Sequence, residues 1–464
     1  MGPPFTFSGS ASGQPVPVSA PNSAPAPTAS SRATYAWLAA LITAVPIIIF
    51  AANGTIITLG LCALAAPAWP GCRDALRQVI GTPPGLALCT LAVWIALSIS
   101  WSAAPADSAI TALRLLLLWL VGLAALAGAR AYRLPRGAAG ALLIAYSAIL
   151  ALYALEIASG GALISLIKQI DPDRFTQFPD AAQREAYRQL LAFNAIGRGG
   201  VLLVLLFWPV AALLIDRHPA RGKTGLVLAL LLGATIFVLL QLPVGAAPLA
   251  LLAGLAAFGL AFAAPRRLPQ FIAIAAAALL LLMPLIAYKI DRPEAFGVEK
   301  RSIPPSWQHR IEIWHYTANR ITEKPLTGWG FDGARHIDAK ATQFVAELPD
   351  GSDIAYPNVT LLPLHPHNGA LQIWLELGLP GALITAALLL ALGFGIAALP
   401  LPTPQRAAAT AAFTATLCLI LLSFGLWQNW WQASFWLLLI LFGLASQPTR
   451  SRDETDAHPG PPDR

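Results

Sequence analysis

Two histidines in the last quarter of the chain have the side chains best suited to acid–base chemistry. His365 and His367 lie on either side of Pro366. A neutral imidazole can take a proton from a sugar hydroxyl, because its ordinary pKa lies close to physiological pH. Two histidines without a cysteine or a third ligand are too few for a closed metal site. The pair is a candidate catalytic base, but a histidine just before a helix is more often a cap, so both interpretations stay open.

A polar stripe follows the histidines. Asn368, Gln372 and Glu376 are spaced by four residues, which places them on one face of a helix. Gly378 and Pro380 are expected to end this helix. About ten residues of helix rise only about 15 Å, half of a bilayer's hydrocarbon core. We therefore expect a short helix at or just inside the membrane surface, with its polar stripe facing a cavity. The alternative is a stripe that only hydrogen-bonds neighbouring helices.

Three arginines are candidates for binding an anion. Arg114 lies inside an apolar run, Arg198 lies where another run begins, and Arg310 lies in a long polar segment. Guanidinium groups stay charged and offer forked donors, which suits a diphosphate. An ionisable residue within a span is a functional candidate by default. We expect the three to converge near the histidines. The alternatives are a snorkelling Arg114, an Arg198 that only marks a span end and a solvated Arg310.

Arg310 belongs to a segment, residues 304–332, that predicts an amphipathic helix. Its apolar residues recur at helical spacing: Ile311, Trp314, Ala318 and Ile321. Pro325 follows and ends the helical pattern. The segment is therefore expected to be ordered and to hold Arg310 in a defined position.

The elements that must position these residues are membrane helices. The chain has 464 residues, of which 56% are hydrophobic and 11% charged, and its mean hydropathy is +0.64. This composition is typical of a polytopic membrane protein. Twelve apolar runs are predicted, at about 34–51, 55–70, 84–101, 109–129, 138–157, 199–215, 225–243, 246–264, 271–288, 380–399, 406–425 and 430–446.

Loop charge predicts the orientation of these runs. The basic residues of the short loops fall on alternate sides: Arg73, Arg77, Arg130, Arg133, Arg136, Arg217, Arg221, Lys223, Arg266, Arg267 and Arg406 all lie in predicted inner loops. The short outer loops have no lysine or arginine, which places both termini in the cytoplasm. The formal net charge of +7 is explained by this topology, and we expect no nucleic-acid partner.

The sequence thus predicts an all-α integral membrane protein with about 12 transmembrane helices and two long periplasmic loops, the second partly helical. Tryptophans near the last span, Trp427, Trp430 and Trp431, are interpreted as an interfacial belt. The predicted division is a disordered cytoplasmic tail at 1–33, helices 1–9 with the periplasmic loop 158–198 at 34–288, a large periplasmic loop at 289–366, the short helix with helices 10–12 at 367–446, and a cytoplasmic tail at 447–464.

Two stretches together resemble a known family. HPHNGALQIWLELGLPG at 365–381, preceded by HRIEIWHYTANRITEKPLTGWGFD at 309–332, is similar to the signature of the O-antigen ligase superfamily. That superfamily also includes O-antigen polymerases and protein O-oligosaccharyltransferases. The resemblance extends over about 34–446, because the number of spans and the large outer loop before the last few also match.

The resemblance implies a glycosyltransferase of the bacterial inner membrane. Such proteins take a glycan from undecaprenyl diphosphate on the periplasmic side and transfer it to the lipid A–core, to another carrier-linked repeat or to a protein hydroxyl. By this resemblance His367 is the catalytic base or its close helper, and Arg310 and Arg198 hold the diphosphate. Arg114 is placed with these arginines, and the supporting residues are His365, Asn368, Gln372 and Glu376.

The expected function is that of an O-antigen ligase that uses no cofactor, whose partners are the undecaprenyl diphosphate-linked glycan, a lipid A–core or other glycan acceptor and the membrane lipids. The alternatives are a repeat-unit polymerase, a protein O-oligosaccharyltransferase and, from another class, a lipid-linked glycan transporter. We expect no metal ion, because the only D-x-D on the outer side, Asp171 and Asp173, is followed by Arg174, which opposes a cation.

Overall fold

The computed structural model describes residues 31–66, 69–131, 138–175, 180–217, 221–290, 297–337 and 341–445. The two predicted cytoplasmic tails lie outside the described residues, apart from 31–33 at the start of the first helix. Two of the predicted inner-loop arginines, Arg133 and Arg136, also lie outside them.

The described residues are predominantly α-helical, which confirms the predicted fold class. The helices are α1 Ser31–Phe50, α2 Thr55–Ala63, α3 Trp69–Ile80, α4 Pro83–Ser98, α5 Pro105–Ala131, α6 Ala138–Ala158, α7 Ala162–Lys168, α8 Ala181–Arg217, α9 Arg221–Gln241, α10 Ala246–Leu260, α11 Arg267–Lys289, α12 Pro305–Glu323, α13 Gly369–Ala398, α14 Thr403–Leu422 and α15 Asn429–Ala445.

Among the described residues, nine helices are long and apolar enough to cross a membrane. Three shorter apolar helices accompany them, at Ala52–Ala63, Ala246–Leu260 and Asn429–Ala445. Each of the twelve predicted runs overlaps one of these helices. The chain is a multi-pass membrane protein, and the count of twelve crossings stays a prediction.

Two large apolar clusters hold the helices together. One contains Leu115 and Trp436 and joins α5 to α13 and α15. The other surrounds the apolar half of α8, where Trp208 is almost completely buried. Leucines such as Leu113 and Leu230 remain exposed on the outside of the bundle. Exposed apolar side chains on long helices are what a lipid-facing surface requires.

The segment predicted as a periplasmic loop at 158–198 is largely helical, which the sequence analysis did not predict. Helix α7 and the first half of α8 occupy much of it, so the sixth apolar run is the second half of a longer helix. Arg188 fixes this outer half, because its Nη2 donates to the Gly160 carbonyl (3.0 Å) and it forms an ion pair with Glu185. The stretch is too polar to be recognised as a span, but its alanines, glutamines and leucines are good helix formers.

The second long loop contains the expected helix, α12, and also an unexpected β-hairpin. Strand β1, Ala341–Glu347, pairs antiparallel with β2, Asp353–Thr360. The hairpin packs on α12, where the Gln308 Nε2 donates to the Glu347 carbonyl (2.8 Å) and the His309 ring lies 4.8 Å from that of Phe344.

Helix α13 is interrupted where the sequence predicts a stop. Gly378 has φ 62° and ψ −163°, so the helix breaks there and a second apolar segment continues to Ala398. A Cβ at Gly378 would lie 2.5 Å from the Leu326 carbonyl oxygen, which requires glycine. Trp94 Nε1 donates to the Leu377 carbonyl at the break (2.9 Å). The short helix after the histidines and the predicted tenth span are thus two parts of α13.

Candidate functional site

His367 lies in a turn immediately before α13. Asn368 caps the helix, since its Oδ1 accepts a hydrogen bond from the Leu371 N–H (3.0 Å). The His367 Nδ1 lies 3.1 Å from the Ser423 carbonyl oxygen. A carbonyl can only accept, so Nδ1 of the neutral ring carries the proton and Nε2 keeps a free lone pair. This tautomer is the one that a base acting through Nε2 requires.

His365 supports the same turn from inside. Its Nδ1 accepts a hydrogen bond from the His367 N–H (3.2 Å), and the two rings meet edge to face with centroids 4.3 Å apart. Burial first, and then the neighbouring His367, Arg335 and Arg310, together lower the pKa of His365 to about 3. The ring is therefore neutral, and its Nδ1 lone pair is already used. His365 holds the turn and is not a proton acceptor.

Arg310 reaches the same place from α12. Its Nη1 donates to the Leu422 carbonyl (2.8 Å), and its Cζ lies 5.1 Å from the centroid of the Trp307 ring. Leu422 ends α14 and Ser423 follows it, so Arg310 and His367 bind consecutive carbonyls at a helix C-terminus. Orphan carbonyls at such an end favour donors and cations. The structure thus brings together two motifs that lie at opposite ends of one loop.

The proximity of these groups affects their protonation. Burial lowers the pKa of His367, and the positive charge of Arg310 lowers it further, while the hydrogen bond to Ser423 opposes both. Burial also lowers the pKa of Arg310, but a guanidinium stays charged because its ordinary pKa is far above neutrality. A neutral base thus lies beside a permanent cation.

Arg198 lies on α8 in a separate open cleft. Its Nη1 donates to Asn53 Oδ1 (3.2 Å), and its Cζ lies 5.9 Å from the Trp430 ring centroid. The cleft has a volume of about 410 Å³ and is lined by Asn53, Ile56, Arg198, Gln428, Asn429 and Trp430. The connection between α14 and α15 joins this cleft to the His367 turn, because it begins at Ser423 and ends at Gln428.

Arg114 is not brought to the site. It is exposed on α5, and within the part of the chain that the structure describes no hydrogen bond or ion pair links it to His367, Arg310 or Arg198. Its predicted place at the diphosphate stays a prediction.

The polar stripe does not face a cavity, which corrects the expectation from spacing. Asn368, Gln372 and Glu376 are buried, and Glu376 is 0% exposed. The Gln372 Nε2 donates to Glu376 Oε1 (3.1 Å) and its Oε1 accepts from the Leu426 N–H (2.9 Å). Glu376 Oε2 accepts from the Asp332 N–H (2.9 Å) and from the Trp427 indole (2.5 Å). The stripe fastens α13 to the α14–α15 connection and to the end of the second loop, as the alternative interpretation holds.

The tryptophans after α14 are not an interfacial belt, and that interpretation is wrong. Trp427, Trp430 and Trp431 are at most 6% exposed. Trp427 donates to Glu376, and Trp430 packs edge to face on Phe424 with centroids 4.8 Å apart. Tryptophans beside a span end are typical of an interface, but here contacts with other helices bury them.

Several contacts at the site have no direct signature in the sequence. The Leu422 and Ser423 groups are backbone carbonyls, which any residue type would provide. Trp314 Nε1 donates to the Pro366 carbonyl (3.0 Å). The spacing of four between Arg310 and Trp314 was the available signal, because it places both side chains on one face of α12.

Asp171 of the predicted D-x-D motif makes its contacts within its own turn. Asp171 Oδ1 accepts from the Asp173 N–H (3.0 Å), and its other oxygen lies 3.8 Å from Arg174. Over the described residues, no group of three or more histidine, cysteine or acidic side chains is placed to hold a metal ion.

Part of the chain matches the model of a known protein family. The model of the O-antigen ligase family matches residues 228–386. This segment contains Arg310 and His367 but neither Arg114 nor Arg198. The predicted resemblance to the O-antigen ligase superfamily is confirmed.

Curated proteins of Rickettsia match over part of their length. A "Putative polysaccharide ligase" of Rickettsia typhi is 32% identical over 171 residues, which are 36% of this chain and 39% of the relative. One of Rickettsia felis is 29% identical over 54% of this chain and 59% of the relative. One of Rickettsia conorii is 28% identical over 56% of this chain and 60% of the relative. The matched part is thus between two fifths and three fifths of these relatives.

Proposed function

We propose, from the match of this chain to the O-antigen ligase family model and to polysaccharide ligases, that it is a membrane glycosyltransferase that ligates a glycan to an acceptor hydroxyl. The donor would be a glycan on undecaprenyl diphosphate and the acceptor a sugar of lipid A–core. One observation carries the proposal. A neutral histidine with a free Nε2 and a permanent guanidinium are fastened to the consecutive carbonyls of Ser423 and Leu422.

The proposed reaction is a displacement at the anomeric carbon. The acceptor oxygen forms the new glycosidic bond while the bond from the sugar to the diphosphate oxygen breaks, and the diphosphate leaves with that electron pair. The acceptor's proton passes to Nε2 of His367. Arg310 uses one nitrogen in its bond to Leu422, and its remaining N–H groups would stabilise charge that develops on the diphosphate. The N-terminus of α13, directly after His367, adds a favourable dipole.

Arg198 would bind the carrier on the other side of the α14–α15 connection. Its cleft offers a guanidinium with three amide side chains, Asn53, Gln428 and Asn429, which are donors suited to phosphate and sugar oxygens. Ile56 lines the same cleft, and the neighbouring Ile57 is 60% exposed on α2. An apolar wall beside polar donors suits a lipid-linked diphosphate.

The proposed reaction needs no metal ion. The arginines supply the positive charge that a divalent cation would bring. The outer D-x-D motif is poorly suited to a metal, because Asp171 caps its own turn and lies beside Arg174. The proposed location is the bacterial inner membrane, with the site facing the periplasm, and loop charge supports this orientation.

The proposal is tested by transfer with purified protein, carrier-linked glycan and lipid A–core. We expect the release of undecaprenyl diphosphate together with glycosylated lipid A–core. Release with a second carrier-linked repeat as the acceptor would indicate a polymerase, and release with a protein acceptor an oligosaccharyltransferase. Movement of the donor across a bilayer without release would indicate a transporter and overturn the proposal.

A second arm of the experiment repeats the transfer in excess EDTA, where activity should not change. Loss of activity that returns with Mg²⁺ would contradict metal independence and would make Asp171 and Asp173 the first residues to substitute.

A further inference from the structure

The peptide bond between Pro366 and His367 is held at both of its polar atoms. Its carbonyl accepts a hydrogen bond from the Trp314 indole (3.0 Å), and its N–H donates to His365 Nδ1 (3.2 Å). Trp314 and His365 are both at most 9% exposed. Two buried partners on opposite edges of one peptide plane leave that plane little freedom to rotate.

The orientation of this plane decides where the His367 ring points. His367 has φ 53°, in the left-handed region that non-glycine residues rarely adopt. Rotation of the preceding peptide would relax this torsion and swing the Cβ away. The ring would then lose its hydrogen bond to the Ser423 carbonyl. The unusual backbone conformation therefore needs an external restraint, and the two hydrogen bonds supply it.

Trp314 also links the base to the anion-binding group. Arg310 and Trp314 lie one turn apart on the same face of α12. Arg310 binds the end of α14, and Trp314 binds the turn before α13. One helix therefore sets the distance between the guanidinium and the imidazole.

We propose that Trp314 and His365 are positioning residues, which clamp the Pro366–His367 peptide and thereby aim His367 Nε2 at the acceptor. Both side chains act through the backbone of the turn. The kinetic consequences rest on the proposed function, whereas the clamp itself can be measured without any transfer reaction.

The first experiment measures the reactivity of His367 directly. Diethyl pyrocarbonate modifies neutral imidazoles, and peptide mass spectrometry gives the rate at each histidine. Trp314→Phe keeps an aromatic ring but removes the N–H donor and part of the buried ring volume. We expect the rate at His367 to rise several-fold. The matched control is Trp374→Phe, which loses the same ring volume and one indole bond to the Leu280 carbonyl of α11 (2.9 Å), and it should leave that rate unchanged. Equal rates at His367 in wild type and Trp314→Phe would overturn the clamp.

The second experiment uses His365, so that the proposal does not depend on one variant folding. His365→Ala removes the acceptor for the His367 N–H, while His365→Asn can place an amide oxygen close to the position of Nδ1. We expect His365→Ala to label faster at His367 and His365→Asn to restore the wild-type rate. Labelling of His367 at the wild-type rate in both His365→Ala and His365→Asn would contradict the role of His365.

The kinetic experiment separates positioning from a general loss of structure. Misplacement of a catalytic group by about 1 Å costs about 10²-fold, so kcat should fall by about that factor in Trp314→Phe, with the donor KM within about twofold, as Arg310 is intact. Adding His365→Ala should cost little more, because both side chains hold one peptide. Multiplicative losses would show that they act separately. If wild type transfers no glycan but the labelling contrast holds, the proposed function fails and the clamp stands.

Discussion

The turn at His367 and the stripe that follows it on α13 are equally polar but are built differently. Gln372 and Glu376 form hydrogen bonds with their polar side chains inside the protein and are buried. His367 is only half-buried and uses one ring nitrogen, and Arg310 uses one guanidinium nitrogen, in bonds to the backbone. Polar groups whose hydrogen bonds are all made inside the protein therefore stabilise the fold, whereas groups with unused donors or acceptors are available for chemistry.

The largest effect is expected from His367→Ala. Loss of a general base costs about 10²–10⁴-fold in rate, while stability should change little, because the ring is half-buried and makes one side-chain hydrogen bond, to the Ser423 carbonyl. Initial rates of transfer and thermal unfolding of the same preparation check both parts. A variant that keeps a tenth or more of the wild-type rate would remove His367 from the proposed mechanism.

Arg310→Ala should also abolish transfer, and the informative variant is Arg310→Lys. The ammonium keeps the charge but loses the forked donors, so it cannot bind the Leu422 carbonyl and a diphosphate in the same geometry. We expect Arg310→Lys to retain only a small part of the rate. Wild-type kinetics with lysine would show that position 310 needs charge alone.

Glu376→Ala should act on stability and not on chemistry. The substitution leaves the Asp332 N–H and the Trp427 indole without their buried acceptor, and each such group costs about 1–3 kcal/mol. Glu376→Gln retains one amide oxygen and should lose less. Denaturation of both variants, compared with the transfer rate of the folded fraction, checks this. A stable Glu376→Ala protein without activity would place Glu376 in the reaction. It would contradict the purely structural role of the stripe.

The pH profile should give the smallest effect. The base acts when it is neutral, so kcat/KM must fall as pH falls through the pKa of His367. Burial and the charge of Arg310 both lower that pKa, so the acid limb should lie below the ordinary value of about 6.5. Rates of wild type from acid to neutral pH, with Arg310→Lys as the control that keeps the charge, check the position. An acid limb above that value would contradict the burial of a neutral ring beside a cation.

The apolar helices and the approach of Arg310 to His367 are predictable from the sequence, because both depend on local patterns. Apolar runs follow from length and hydropathy, and each of the twelve overlaps a helix. Gly378 breaks α13 where predicted, because only glycine suits its positive φ and the nearby backbone. The approach of Arg310 to His367 was expected from two motifs at opposite ends of one loop.

What a polar face contacts is not predictable in the same way. The spacing of Gln372 and Glu376 predicts a stripe, but only the tertiary structure shows that Asp332, Leu426 and Trp427 cover it. The hairpin was missed because it lies in a long loop, although its strands of seven and eight residues contain β-branched and aromatic side chains. Arg198 was assigned to a span end because the apolar run begins there, but α8 already begins at Ala181.

Helix α8 is longer than the hydrocarbon core of a bilayer is thick. It contains 37 residues, which at 1.5 Å per residue is about 55 Å, against about 30 Å for a hydrocarbon core. We therefore expect its polar N-terminal half to project beyond the lipid, where Arg188 binds the Gly160 carbonyl. A membrane helix answers a change of bilayer thickness by tilting, and tilt moves the ends of a long helix more than its middle. We therefore expect a change of bilayer thickness to move the Arg188 end of α8 more than the Arg198 cleft, which lies near the middle of the helix.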